Sequence, residues 1–414
     1  MPARQQPDPV ITGIGAITPL GQGVAETWRN LLDGQSGIGR ITSFDASDLP
    51  VQIAGEVRDF APERLLDPKR LRRSARFSQL AIVAAREAVA DARLPIEAGA
   101  ERIGVVVNTA VGGVPETQDA VERWHGEGLR GVSPYFVPST IPNMPACEVA
   151  IDLGLHGPVS ASSLACASGN ASLLEARRLI LSGECDAVIA GGTDAGIAGA
   201  MFAGLARMGA MSERNEEPER ASRPFDAERD GFVFGEGSVL LVVESAAHAA
   251  ARSAPVYGAI AGGALTADAF HISAPEPTGR HAARAIEQAL ERTATAPEEV
   301  DYICAHGTGT RANDAVETRA IRTALGRAAD RVPISSPKSM LGHLIAAAGS
   351  LSAMVCLLAM RDGTVPPTIN LENPDPECDL DYVPNAARPV AVRTALVNAF
   401  GFGGQNCVVV LRAR

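Results

Sequence analysis

Two stretches decide the fold. Val159-Ser-Ala-Ser-Ser-Leu-Ala-Cys166 leads into 167–182, and Val332-Pro-Ile-Ser-Ser-Pro-Lys-Ser-Met-Leu-Gly-His343 leads into 344–361. Each reads as a strand, a polar turn and a helix rich in small residues. Their identity is weak, but the shared organisation points to a duplicated architecture. Continuous apolar runs recur on either side, at 10–15, 103–108, 186–190, 238–244 and 256–265, then at 300–305, 395–398 and 407–412. Runs without polar alternation are expected of strands covered on both faces. Helical spacing over 77–92, 281–292 and 317–325 supplies the covering layers. The expectation is a layered α/β fold in two halves, 1–255 and 256–414.

The 414 residues are 46% hydrophobic and 21% charged, ordinary for a soluble globular protein. This length fits two domains or one double-sized fold. No apolar run approaches the ~20 residues of a membrane span. Residues 1–9 lack the apolar core of a signal peptide, so the expected location is the cytoplasm. The seven cysteines are odd in number and sit mostly in apolar contexts, which suits reduced core thiols better than a disulfide frame. A formal net charge of −11 argues against nucleic acid as a general partner. The segment 64–76 is the exception: Arg64, Lys69, Arg70, Arg72, Arg73 and Arg76 face only Asp67. On an acidic protein such a patch is a candidate dock for an acidic partner, with a solvated helix face as the alternative.

Four segments carry candidate chemistry. Cys166 lies between a strand-like and a helix-like run. Unpaired amides at a helix N-terminus are expected to lower its pKa and favour the thiolate; a core thiol is the competing reading. His306 follows the run 300–305 and precedes Gly-Thr-Gly-Thr310, with a satisfied core histidine as its alternative. Lys338 is one of only two lysines, beside Lys69, in a chain with 37 basic residues. A chain that otherwise uses arginine keeps lysine where a compact amine is needed, chance aside. Asn398-Ala-Phe-Gly-Phe-Gly-Gly404 places Phe400 and Phe402 among glycines, as a mobile gate or as a tight turn.

Taken in order, these segments resemble the β-ketoacyl-(acyl carrier protein) synthases, the type II elongating ketosynthases of thiolase fold. The segments 10–15, 134–143, 222–236 and 365–370 join them in the match. The resemblance implies a five-layered αβαβα thiolase-like fold and a decarboxylative condensation that builds a β-ketoacyl thioester. Cys166 would take the acyl chain from an acyl carrier protein, and His306 and His343 would contact the malonyl thioester. Lys338 would hold charge beside the histidines, with Glu317 as its partner. The amides of Cys166 and Phe402 would form a second donor set, with Phe402 gating beside Phe400. Thr308 and Thr310 would line the pantetheine arm, and Val111 would border the acyl pocket. Lys69, Arg72, Arg73 and Arg130 would dock the carrier protein. The family works as a homodimer or as a heterodimer with a ketosynthase-like subunit. No metal or redox cofactor is implied, because phosphopantetheine arrives on the carrier.

Departures from the pattern bear on the substrate. Val111 is smaller than the aliphatic residue common in fatty acid enzymes, and Gly309 replaces a common serine, as in many polyketide ketosynthases. Gly209 stands where a docking arginine is expected, with Arg207 two residues earlier. A type II polyketide or polyene ketosynthase is therefore the first alternative. A chain-length-factor subunit would lack the thiol that Cys166 supplies. A degradative thiolase would use a second cysteine near the C-terminus, yet Cys407 begins a strand. A starter-type enzyme would carry Asn where this chain has His343.

Overall fold

The computed structural model describes residues 7–414. Ten strands build the main sheet: β1 (Val10–Thr18), β2 (Ile103–Asn108), β3 (Val159–Ser160), β4 (Ala187–Asp194), β5 (Gly237–Glu244), β6 (Gly258–Ala267), β7 (Tyr302–Cys304), β8 (Ile334–Ser335), β9 (Thr394–Gly401) and β10 (Gln405–Arg412). Gly21–Gln22 folds back on β1 as an eleventh, short strand. The order is β8-β7-β9-β10-β6-β1-β5-β4-β2-β3. Read outward from the centre, both halves show the same pattern: two antiparallel pairings, then two parallel ones. Each strand from β6 to β10 thus repeats the place of one from β1 to β5. The halves join through two register pairs, Val10↔Ala259 and Ile11↔Gly258.

The main helices are α1 (Arg76–Ala92), α2 (Val114–Glu127), α3 (Met144–Leu153), α4 (Ser168–Leu181), α5 (Arg280–Arg292), α6 (Arg311–Leu325) and α7 (Ala347–Asp362). α1 and α3 cover the outer face of the first half, α5 and α6 that of the second, and α4 and α7 lie between. This is the five-layered αβαβα arrangement. α7 is buried on every side from Ala347 to Ala359, as a helix without a polar face requires. The two central helices cross where Gly169 meets Gly349; a Cβ on Gly169 would lie 2.6 Å from the Ser350 amide. Burying each large apolar side chain in these layers contributes about 1.5–3 kcal/mol. Among the described residues, no helix is long and apolar enough to cross a membrane.

Most of the expected elements fall where the sequence places them, but α6 begins at Arg311 rather than 317, α2 and α3 correspond to no run singled out above, and three strands differ in length. β4 continues through Gly191-Gly192-Thr193 to Asp194, because it pairs with β5 along that whole length and with β2 as far as Gly192. Pairing on both sides outweighs the turn propensity of two glycines. Conversely, β3 and β8 hold only two residues each, at the two sheet margins.

Candidate active site

The site gathers at the C-terminal ends of the parallel strands, where open α/β sheets place ligands. Cys166 follows β3, His343 follows β8, His306 follows β7, Val111 follows β2 and Phe402 follows β9. One ligating atom each from Cys166, His306 and His343 lies within 4.8 Å of the others. All three residues are buried.

Local structure aims each group. Ala165 adopts φ +47, a left-handed conformation that turns the chain sharply before α4 and lifts Cys166 from the strand edge. The β9–β10 turn packs against this elbow: a Cβ on Gly401 would lie 2.8 Å from the Leu164 carbonyl and 3.2 Å from the Cys166 amide. That approach brings the Phe402 amide to the thiol, and it and the Cys166 amide both act to lower the thiol's pKa. Burial outweighs them, together with the Lys338 charge, and pushes the thiol up to about 11. The expected thiolate at a helix N-terminus is therefore absent from the free protein: desolvation disfavours the charged form more than the amides and Lys338 favour it.

His343 accepts a hydrogen bond at Nδ1 from the Ile345 amide, 3.1 Å away. A neutral ring so bonded carries its proton on Nε2. That buried Nε2 has no hydrogen-bond partner. Burial and then the Lys338 charge hold both imidazoles well below the usual histidine range; His343 adds a further small push on His306. The rings stand edge to face, with centroids 5.4 Å apart. Phe400 packs on His306 at 5.8 Å and Phe232 on His343 at 5.9 Å. Cys-His-His is also a conceivable metal set. It fits a cation poorly, because Nε2 of His343 bears a proton and Lys338 places positive charge nearby.

Lys338 and Glu317 do not pair as the sequence suggested. Lys338 Nζ donates to the His306 carbonyl at 2.5 Å. Glu317 accepts instead from the amides of His306 and Gly307, each at 2.8 Å, and from Asn398 Nδ2 at 3.1 Å. A carboxylate that meets two successive amides fixes the backbone of a turn, so Glu317 locks His306 in place. Asp314 does the same one turn on, accepting from the amides of Thr308 and Gly309 at 3.1 and 3.3 Å, with Arg229 3.6 Å behind it. Thr308 and Thr310 share a hydrogen bond of 3.0 Å, and Thr310 also caps α6. Phe402 is 39% exposed and sits at the mouth. Val111 packs beside Phe202, Phe234 and Ile345.

The basic segment divides. Arg70 pairs with Asp152 at 3.0 Å and Arg76 with Glu236 at 2.7 Å, so neither is free for a partner. Lys69, Arg72, Arg73 and Arg130 are exposed. Arg73 lies over the Tyr135 ring at 5.0 Å. Arg72, Arg73 and Gly131, next to Arg130, line one cleft of about 370 Å3.

Sequence reasoning missed Asp194, Asp314 and Phe232. Asp314 had a signal, lying four residues beyond the Gly-Thr-Gly-Thr turn, where a helix cap returns to bond loop amides. For Asp194, after two glycines, no local pattern tells its role.

Family comparison accounts for nearly the whole chain. Residues 8–249 match the model of the β-ketoacyl synthase N-terminal domain, and 257–372 match that of the C-terminal domain. A 3-oxoacyl-[acyl-carrier-protein] synthase 2 of Synechocystis is 47% identical over 404 residues, 97% of each chain. Its counterpart from Coxiella burnetii is 45% identical over 403 residues, again 97% of each. Among solved structures, the ishigamide ketosynthase/chain length factor matches with a TM-score of 0.93 at 36% identity, over 99% of this chain and all of that one. A ketosynthase in complex with its type II PKS acyl-carrier protein, bound to the hexaketide, matches at 0.91 and 34%, over 99% and 100%. These likenesses agree with the five-layered thiolase-like fold, and the chain belongs to the β-ketoacyl synthases, enzymes that transfer acyl groups.

Proposed function

We propose that this chain elongates fatty acyl thioesters by decarboxylative Claisen condensation with malonyl-acyl carrier protein, using Cys166 as the nucleophile. The observation that carries this reading is the unpartnered Nε2–H of a neutral His343, buried within 4.8 Å of the Cys166–His306 pair. In the first step the Cys166 sulfur attacks the acyl thioester. The carrier's pantetheine thiol leaves with the proton that Cys166 loses. The Cys166 and Phe402 amides stabilise the oxyanion of the tetrahedral intermediate. In the second step malonyl-carrier binds with its thioester oxygen facing the imidazole N–H donors. Loss of CO2 leaves the electron pair of the broken C–C bond as an enolate. The enolate attacks the acyl-Cys166 carbonyl, and the thiolate leaves and regains a proton. Neutral imidazoles suit this role, since they donate to a developing oxyanion without having to lose a charge. Burial, and then the Lys338 charge, keeps them neutral, and Glu317 holds the His306 backbone. The reaction draws on no metal or redox cofactor of the chain's own.

Lys69, Arg72, Arg73 and Arg130 form the dock for the acidic carrier, with Phe402 gating the pantetheine arm between Thr308 and Thr310. A second ketosynthase-like chain covers the β3 margin, where Val137, Ile151 and Val159 are 63, 69 and 41% exposed beside an unpaired strand edge. The higher identity to the curated synthases supports fatty acid elongation. The two polyketide-type structural neighbours keep a polyketide or polyene ketosynthase as the second reading.

Intact-mass measurement tests the central claim. Protein incubated with acyl-carrier protein should gain one acyl mass, and Cys166→Ala should gain none. An adduct on that variant overturns the assignment. Carriers bearing chains of graded length, polyenoyl ones included, separate the two readings by product mass.

A further inference from the structure

Asp194 has no role in the reading above, yet it ties together two turns that the reading uses. It ends β4 fully buried, and four groups donate to its carboxylate. They are the Thr109 hydroxyl and the amides of Ala110 at 3.2 Å, Val111 at 3.0 Å and Ala346 at 2.8 Å. The first three belong to the turn after β2 that carries Val111. The fourth comes from the other half of the sheet, directly after Ile345.

Ile345 is the neighbour that matters. Its amide donates to Nδ1 of His343 and so keeps the ring proton on Nε2. Its φ is +49, a left-handed conformation that a β-branched residue avoids and adopts only when its surroundings impose it. The amide that follows it is the one Asp194 holds. The Ile345 side chain packs in the same apolar cluster as Val111, Phe202 and Phe234. One buried carboxylate thus bolts the wall of the acyl pocket to the turn that sets the tautomer of the condensing imidazole.

We infer that Asp194 is a positioning residue for the condensation step: by clamping the Val111 turn to the Ile345 turn, it fixes the tautomer and aim of His343 and passes the shape of the acyl pocket to that ring. The inference rests on the proposed reading, in which Val111 borders the acyl chain and His343 acts on the malonyl thioester. Without the clamp the Ile345 turn relaxes and Nδ1 is free to take the proton. Nε2 then presents a lone pair to the developing oxyanion in place of a donor.

Two variants test this, Asp194→Asn and the milder Thr109→Val, which keeps the carboxylate and all three amides. Single-turnover acylation of Cys166 and condensation per acylated enzyme are measured separately. The expected result for Asp194→Asn is acylation within about three-fold of wild type and condensation slower by roughly a hundred-fold, the scale of losing one oxyanion donor, with KM for malonyl-carrier unchanged. Thr109→Val should slow condensation by about three- to ten-fold, in keeping with the loss of one of several hydrogen bonds. A merely structural carboxylate would lower both half-reactions by the same factor, and that outcome in either variant, or unchanged condensation, overturns the inference. If Asp194→Asn does not fold, the ratio of half-reactions in Thr109→Val decides. Failure of wild type to acylate Cys166 would sink the functional reading instead, and so the two failures are distinguishable.

Discussion

The two halves of the sheet share a plan and divide the chemistry. After β3 the chain passes a left-handed Ala165 and enters α4; after β8 it passes a left-handed Ile345 and enters α7. The first turn presents a thiol, the second an imidazole. Each half also spends a buried carboxylate on the loop after its second strand: Asp194 accepts from the amides of Ala110 and Val111, and Glu317 from those of His306 and Gly307. The difference lies in what the turn is made of. Alanine carries only the Cβ penalty of the left-handed region, about 1–2 kcal/mol, and its elbow is braced by the β9–β10 turn of the second half. Isoleucine is strained there and is held by a carboxylate from the opposite half. Both elbows are thus braced from the opposite half, but by different means: close packing of the β9–β10 turn at the one that presents the thiol, a buried carboxylate at the one that presents the imidazole.

That asymmetry can be broken at several strengths. Beyond deletion of the thiol itself, the largest effect is expected from His343→Ala. It removes only the second unit's contribution, so Cys166 should still take an acyl mass while β-ketoacyl product falls by about 10²–10³. Product mass spectrometry that found full condensation would remove His343 from the mechanism. Next come the turns. Ile345→Ala relieves about 1 kcal/mol of left-handed strain but loses buried packing of about 2–4 kcal/mol, so urea denaturation should show a net loss of about 2 kcal/mol. Ala165→Gly should stay within about 0.5 kcal/mol, because relief of strain and the entropy of a new glycine oppose each other. Equal effects at the two positions would mean that the turns are not differently braced. The smallest change is expected at the surface: Arg72→Glu with Arg73→Glu should raise KM for carrier-bound substrate several-fold and leave kcat intact, as exposed charges steer association more than chemistry. An unchanged KM would place docking elsewhere.

Much of this was legible residue by residue. Continuous apolar runs mark β2 and β5 because both faces of those strands are covered, and small-residue helices mark α4 and α7 because they cross in the centre. The company of Cys166, His306, Lys338 and His343 in one order points to one chemistry. Other matters were not legible. Lys338 and Glu317 look like an ion pair in one dimension, but the lysine turns to the His306 carbonyl and the glutamate to backbone amides. Arg70 and Arg76 read as part of a free basic patch, but Asp152 and Glu236, far away in the chain, claim them.

The amino-acid sequence by itself determined the strand and helix types and the doubled layout, since apolar periodicity is a local property, and its ordered segments named the candidate reacting groups through the family they resemble. Only the tertiary structure decided their states. The thiol is protonated because burial outweighs helix-end amides, His343 carries its proton on Nε2 because one strained amide reaches Nδ1, and Asp194 matters because it bonds an amide in the other half of the sheet. Desolvation and hydrogen bonds of that span are sums over neighbours that meet only when the layers close.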